Sequence, residues 1–199
     1  MTDGSSAVAL RFEILGSLRA YRGSEPVDLG PPRQQAVLAM LLLDAGRPVP
    51  VHRIVAALWS GDPPENGVDV VQRHIGALRR ALDPQRTSLI ALTDAGYVLR
   101  ADENAVDAEA FRAALARTEH GTDEIRRALD SWRDEPPAGL TGPVFEAARA
   151  RLNDERATAS NLLAEPAPAQ PAKAEPAYPP PVDPWDGHRL FPPDPLSMT

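Results

Sequence analysis

The 199-residue chain has no cysteine, which excludes disulfides and thiolate metal sites and makes a reducing cytoplasm the expected compartment. Lysine is nearly absent as well: Lys173 is the sole one, and arginine carries the rest of the positive charge. That bias, beside abundant alanine and proline, reads as the mark of a GC-rich genome. No stretch approaches ~20 consecutive apolar residues, so no membrane-spanning helix and no membrane partner are expected. The opening residues Met1 to Ser6 lack the basic and apolar regions of a signal peptide. Catalytic signatures are missing too, with no glycine-rich phosphate loop, no G-x-S-x-G and no thiol nucleophile. His52, His74, His120 and His188 lie far apart and open no metal-binding spacing. The expectation is a non-enzymatic protein needing no cofactor and no metal.

What the chain does contain is unevenly distributed. An apolar content of 43% suffices for a core, but 22 prolines are too many for compact structure throughout. The net charge of −7 argues against nucleic acid only if taken as a whole. Residues 1–100 carry 11 Arg against 10 Asp plus Glu and net +1, whereas residues 101–199 carry 10 basic against 18 acidic groups and net −8. Phosphate binding by the first half would therefore depend on clustered arginines rather than bulk charge.

Leu10, Phe12 and Ile14 alternate with Arg11 and Glu13, the period of a half-buried strand, and Gly16 breaks it. A second strand is expected over Leu18–Tyr21 and a third over Pro26–Leu29. Gly30-Pro31-Pro32 opens a helix whose apolar face is Val37, Leu38, Leu41 and Leu42, with a stop at Asp44-Ala45-Gly46. A second helix is expected over Val51–Trp59. The third, over Asn66–Leu82, places Val71, Ile75, Leu78 and Leu82 on one face. Asn66, Asp69, Arg73 and Arg80 point away from that face, with Gln72 and Arg79 on its shoulder. Apolar runs Leu89–Leu92 and Tyr97–Leu99 around Thr93–Gly96 predict a β-hairpin. Sheet, three helices, hairpin is the element order of a winged helix-turn-helix, in which the third helix enters the DNA major groove.

Several motifs in this frame resemble the SARP family, antibiotic regulatory proteins of filamentous actinobacteria. They are Asp28-Leu29-Gly30-Pro31-Pro32-Arg33-Gln34, Met40–Leu43, Leu58-Trp59 with Pro63-Pro64, Leu78-Arg79-Arg80-Ala81-Leu82, and Gly96-Tyr97-Val98-Leu99. The resemblance spans residues 9–101. It implies a transcriptional activator of a biosynthetic gene cluster that binds double-stranded DNA at promoter direct repeats, self-associates on those repeats and recruits RNA polymerase holoenzyme. Residues 102–165 look like the start of the family's helical bacterial transcriptional activation domain. There one helix carries Phe111 and Leu115, a second carries Ile125, Leu129 and Trp132, and a third runs from about Val144 to Leu163. The family's domain is longer, so this reading makes it truncated. From residue 166 to 199 the proline-rich composition predicts a disordered tail, in which Tyr178, Trp185 and Phe191 could form a short partner motif. The expected fold is thus an α+β winged helix-turn-helix domain at 1–101, a short all-α segment and a disordered Pro-rich tail.

The candidate DNA contacts divide by role. Arg73 suits a bidentate guanine contact or, alternatively, an i,i+4 pair with Asp69, and Gln72 suits adenine or solvent. Arg79 and Arg80 suit phosphates, as does Arg33 beside the free amides of the first helix. Asn66 opens the third helix. On the wing, Thr93 and Tyr97 are backbone-contact candidates, Tyr97 being equally suited to packing beneath the wing. Trp59 reads as core. Two positions depart from the family pattern: Gly76-Ala77 replaces a basic or hydroxyl pair, and Pro50 replaces a capping serine. They motivate a second reading, an interaction protein that pairs with a full-length regulator or polymerase and binds little DNA itself.

Overall fold

The computed structural model describes residues 9–85, 88–117 and 122–164. The Pro-rich tail, His120 and His188 lie outside the described residues. Strands β1 (Leu10–Glu13), β2 (Arg19–Arg22) and β3 (Glu25–Pro26) form an antiparallel sheet in that order, Leu10 opposite Arg22 and Tyr21 opposite Pro26. The third strand is shorter than expected, and Val27–Leu29 leads irregularly into the first helix. Glu13 also departs from the alternation. It is buried, because Arg11 and Arg133 both bring guanidinium groups to its Oε1.

Helices α1 (Pro32–Leu43), α2 (Val51–Trp59) and α3 (Gly67–Leu82) follow, then the hairpin β4 (Ile90–Thr93) and β5 (Gly96–Leu99). Pro31 caps α1 in extended conformation and Pro32 occupies its first turn, where a missing N–H costs nothing. The one-sided apolar face expected for α1 is not what is found. Every residue from Ala36 to Leu43 is buried, because α2, α3 and β5 all pack around this helix. On α3, by contrast, burial is confined to the expected stripe of Val71, Ile75, Leu78 and Leu82 together with Gly67.

Beyond the hairpin, a 3-10 turn (Glu103–Ala105) leads to α4 (Asp107–Ala116), α5 (Thr122–Leu129) and α6 (Pro143–Ala164). Trp132 is not on the second of these helices as expected. It lies past the end of α5 and meets Phe111 edge-on, with ring centroids 5.4 Å apart. Phe145, Leu152 and Ala159 are the buried residues of α6, spaced by two turns so that they share one stripe. Arg112 joins α4 to α6 through Glu155 at 3.0 Å.

These helices share their core with the winged module. The Asp107 carboxylate, in the first turn of α4, accepts the backbone N–H groups of Ile14 (2.9 and 3.0 Å) and Leu15 (3.1 Å) just beyond β1. Phe12 bridges Val106, and Ser17 bridges Ala138.

Candidate nucleic-acid interface

With Val71, Ile75, Leu78 and Leu82 turned inward, the helical period leaves Asn66, Asp69, Gln72, Arg73 and Arg80 exposed on one side of α3. Among the described residues no ion pair joins Asp69 to Arg73, so the guanidinium of Arg73 is held by no carboxylate. Arg80 is likewise unpaired there, and its guanidinium folds back along the helix until Nη1 lies 3.7 Å from where a Cβ on Gly76 would stand. Asn66 sits at the N-cap position, but its side chain makes no capping bond.

Arg79 is placed differently. Its Nε donates to the Ile90 carbonyl at 2.9 Å and its guanidinium lies over the Tyr97 ring, 5.8 Å from the centroid. Tyr97 is buried beneath the wing, the second of the two places open to it. The Thr93 hydroxyl donates to the Gly96 carbonyl at 2.9 Å and closes the turn of the wing. Arg22 donates to the carbonyls of Ala81 (2.8 Å) and Leu82 (3.3 Å), satisfying the C-terminal end of α3. Val49 and Tyr97 exchange backbone hydrogen bonds of 2.8 and 3.0 Å, fastening β5 to the segment before α2. The wing and α3 are therefore fixed relative to each other.

Arg33 is exposed at the start of α1 and its guanidinium stands 5.4 Å from the centre of the Trp59 ring. Trp59, read from sequence as core, is only partly buried and serves as that platform. His74 is the residue that sequence reasoning missed. Burial lowers its pKa from 6.5, and the positive charges of Arg73 and then Arg33 lower it further. The fold thus gathers Arg33, Arg73 and His74 from two helices into one electropositive site. Nothing in their sequence spacing signals it, since 40 residues separate the two arginines and only packing of α1 on α3 unites them.

Residues 24–99 match the family model described as transcriptional regulatory protein, C terminal. Regulatory protein AfsR of Streptomyces coelicolor is 37% identical over 158 residues, which are 74% of this chain and 16% of AfsR. Transcriptional regulator RedD of the same species is 32% identical over 82 residues, 39% of this chain and 23% of RedD. These similarities are to regulators of the SARP family. A solved structure of Mycobacterium tuberculosis EmbR, in complex with a low-affinity phosphopeptide, superposes with a TM-score of 0.67 at 28% identity. It covers 78% of this chain and 44% of the EmbR chain, so the SARP-like fold extends past the winged module into α4–α6. The chain spans only a fraction of these regulators' lengths. Among the described residues no helix is long and apolar enough to cross a membrane.

Proposed function

We propose that this chain is a SARP-family, sequence-specific DNA-binding transcriptional regulator, an activator of a biosynthetic gene cluster. The observation that carries the reading is the exposed face of α3, where Arg73 and Arg80 stand without carboxylate partners beside Gln72. A guanidinium free on one side of a helix that is buried on the other has the geometry to address a guanine edge or a phosphate. Arg33 adds a third positive group, from α1, and the wing flanks the same module. In this reading residues 1–101 are the DNA-binding module, and residues 102–165 are the start of an activation domain that contacts RNA polymerase holoenzyme. Two copies occupy adjacent direct repeats in the cytoplasm, one module per repeat. AfsR and RedD, regulators by name, support the class of activity.

The test is a titration of neighbouring promoter fragments by fluorescence anisotropy at several salt concentrations, with a footprint on the fragment bound most tightly. A protected direct repeat and an affinity that falls steeply with salt are expected. Salt-independent binding, or equal affinity for scrambled DNA, overturns the reading.

The interaction-protein reading has its own observation. Val68 and Leu92 are the exposed large apolar side chains among the described residues, at 46% and 62%, and both line a groove between α2 and the wing. A chain that binds no promoter yet copurifies stoichiometrically with a full-length regulator, and loses it on Leu92→Glu, would establish that reading instead.

A further inference from the structure

A cavity of about 350 Å3 lies among β1, α4 and α5, and no residue of α3 lines it. Its walls are unlike those of a packing defect. Phe111, itself 1% exposed, forms an aromatic side together with Ala110, Ala114 and Ala128. Around it stand the carboxylates of Glu13, Asp107 and Glu124. The four arginines that also line it already hold acceptors: Arg11 and Arg133 on Glu13, Arg117 on Glu124 Oε1 at 3.7 Å, and Arg127, through Nε, on the Asp123 carbonyl at 3.2 Å. Glu124 Oε2, however, is buried without any hydrogen-bond partner. A buried carboxylate oxygen left unpaired is costly, and a donor supplied by a ligand removes that cost.

We propose that this cavity binds a small molecule with a monocyclic aromatic body and a protonated amine. The ring lies against Phe111 and the ammonium group donates to Glu124 Oε2. The volume sits at the small end of ligand pockets, which suits a single ring with a short amine arm and excludes larger polycyclic bodies. The sign of the ligand's charge follows from which groups remain open. Each guanidinium already donates to a carboxylate or a backbone carbonyl, whereas Glu124 Oε2 receives no donor, so a cationic donor completes the site. Asp107 is consistent with this: burial, outweighing its hydrogen bonds to Ile14 and Leu15, raises its carboxyl from 3.8 to about 6, a position that a neighbouring ammonium would relieve. Because the walls come from β1 and from α4–α5, an occupant would touch both the winged module and the helices that follow it.

The experiment titrates the full chain with 2-phenylethylamine, 3-phenylpropionate and 2-phenylethanol, following amide chemical shifts by NMR. The amine should saturate, moving the amides of Glu13, Asp107 and Phe111. The acid and the alcohol should bind at least about tenfold more weakly, the usual advantage of a charge-assisted hydrogen bond. Glu124→Gln, isosteric and checked for folding by circular dichroism, should lose about tenfold in amine affinity. Ala114→Leu, which fills the cavity, should abolish binding of all three probes. Absence of saturable amine binding overturns the proposal. So does equal binding of the three probes, or indifference of the amine to both substitutions.

Discussion

Arg79 Nε donates to the Ile90 carbonyl at 2.9 Å, so the side chain next to Arg80 on α3 is spent on holding the wing. The neighbouring arginines therefore separate cleanly by experiment. Arg79→Ala leaves a wing carbonyl without its charged donor and should cost about 1–3 kcal/mol of stability. Arg80→Ala removes an exposed, unpaired group and should change stability by less than about 0.5 kcal/mol. In the DNA titration Arg80→Ala should weaken all sequences alike and flatten the salt dependence by about one unit of slope. Urea denaturation beside anisotropy separates the two; equal stability of both variants would show that the Arg79 contact contributes nothing.

Much of the fold was legible because local period and tertiary burial agree. α2 and α3 match their expected bounds within a residue, since each has one buried stripe and a solvated remainder. The central helix α1 misled because it has no solvated side from Ala36 onward, and a helix buried all round has no face for a period to report. Trp132 fitted the spacing of α5 but is placed by its contact with Phe111, which sequence spacing does not encode. The site was legible only residue by residue. That Arg73 is exposed follows from helical geometry; that Arg33 and His74 join it follows from packing between helices distant in sequence.

Gly96 is fixed by a close approach. It holds φ +134°, and a Cβ there would stand 2.1 Å from the Val49 carbonyl oxygen. Gly96→Ala should break the backbone exchange between Val49 and Tyr97 and destabilise the chain by more than about 2 kcal/mol, combining strain with the clash. The loss should appear first as accelerated exchange of the Tyr97 amide. Unchanged exchange there would mean that the segment before α2 does not hold the wing.

Asp107 joins β1 to α4 and its carboxyl titrates near 6 rather than 3.8. Between those values the folded protein holds a proton that the unfolded chain has released, so stability falls as pH rises through this window. The expected contribution is about 2–3 kcal/mol, lost by pH 7. Asp107→Asn keeps an oxygen for the Ile14 and Leu15 amides without the charge, and should flatten stability between pH 4 and 6. Asp107→Ala leaves both amides unpartnered and should cost about 1–3 kcal/mol at its most stable pH. Chemical denaturation across pH distinguishes them; parallel pH profiles for wild type and Asp107→Asn would exclude this carboxyl as the source.

His74 gives a second pH dependence, of opposite origin. Burial, Arg73 and Arg33 hold its pKa below 6.5 in the free protein, so the folded state loses stability as pH falls below 6.5. Phosphates brought to the Arg33–Arg73 site would cancel part of that positive field and raise the pKa in the complex. DNA binding then takes up protons, and affinity should rise as pH falls through the window between the two values, by at most one decade per pH unit. His74→Gln should remove this dependence while leaving the salt slope unchanged. A pH profile identical in wild type and His74→Gln would place the DNA elsewhere.

The strongest discrimination between DNA reader and interaction protein comes from the middle of α3. Gly76 and Ala77 are partly exposed and offer no side-chain donor, and the space over Gly76 is met at 3.7 Å only by the Arg80 guanidinium. Replacing both with arginine should steepen the salt dependence by up to about two units of slope, the full value requiring that Arg80 swing clear of the new side chain. Loss of the mid-helix glycine should also stabilise α3 by up to about 1 kcal/mol. Arg73→Ala should act in the other direction and on specificity, costing about 1–3 kcal/mol on the preferred site and narrowing its advantage over scrambled DNA. These variants change the exposed face without touching Val71, Ile75 or Leu78, so a folding defect does not imitate the result. If the double arginine leaves the salt slope unaltered and Arg73→Ala leaves the preference intact, α3 does not lie against DNA. The apolar groove of Val68 and Leu92 then becomes the surface through which this chain acts.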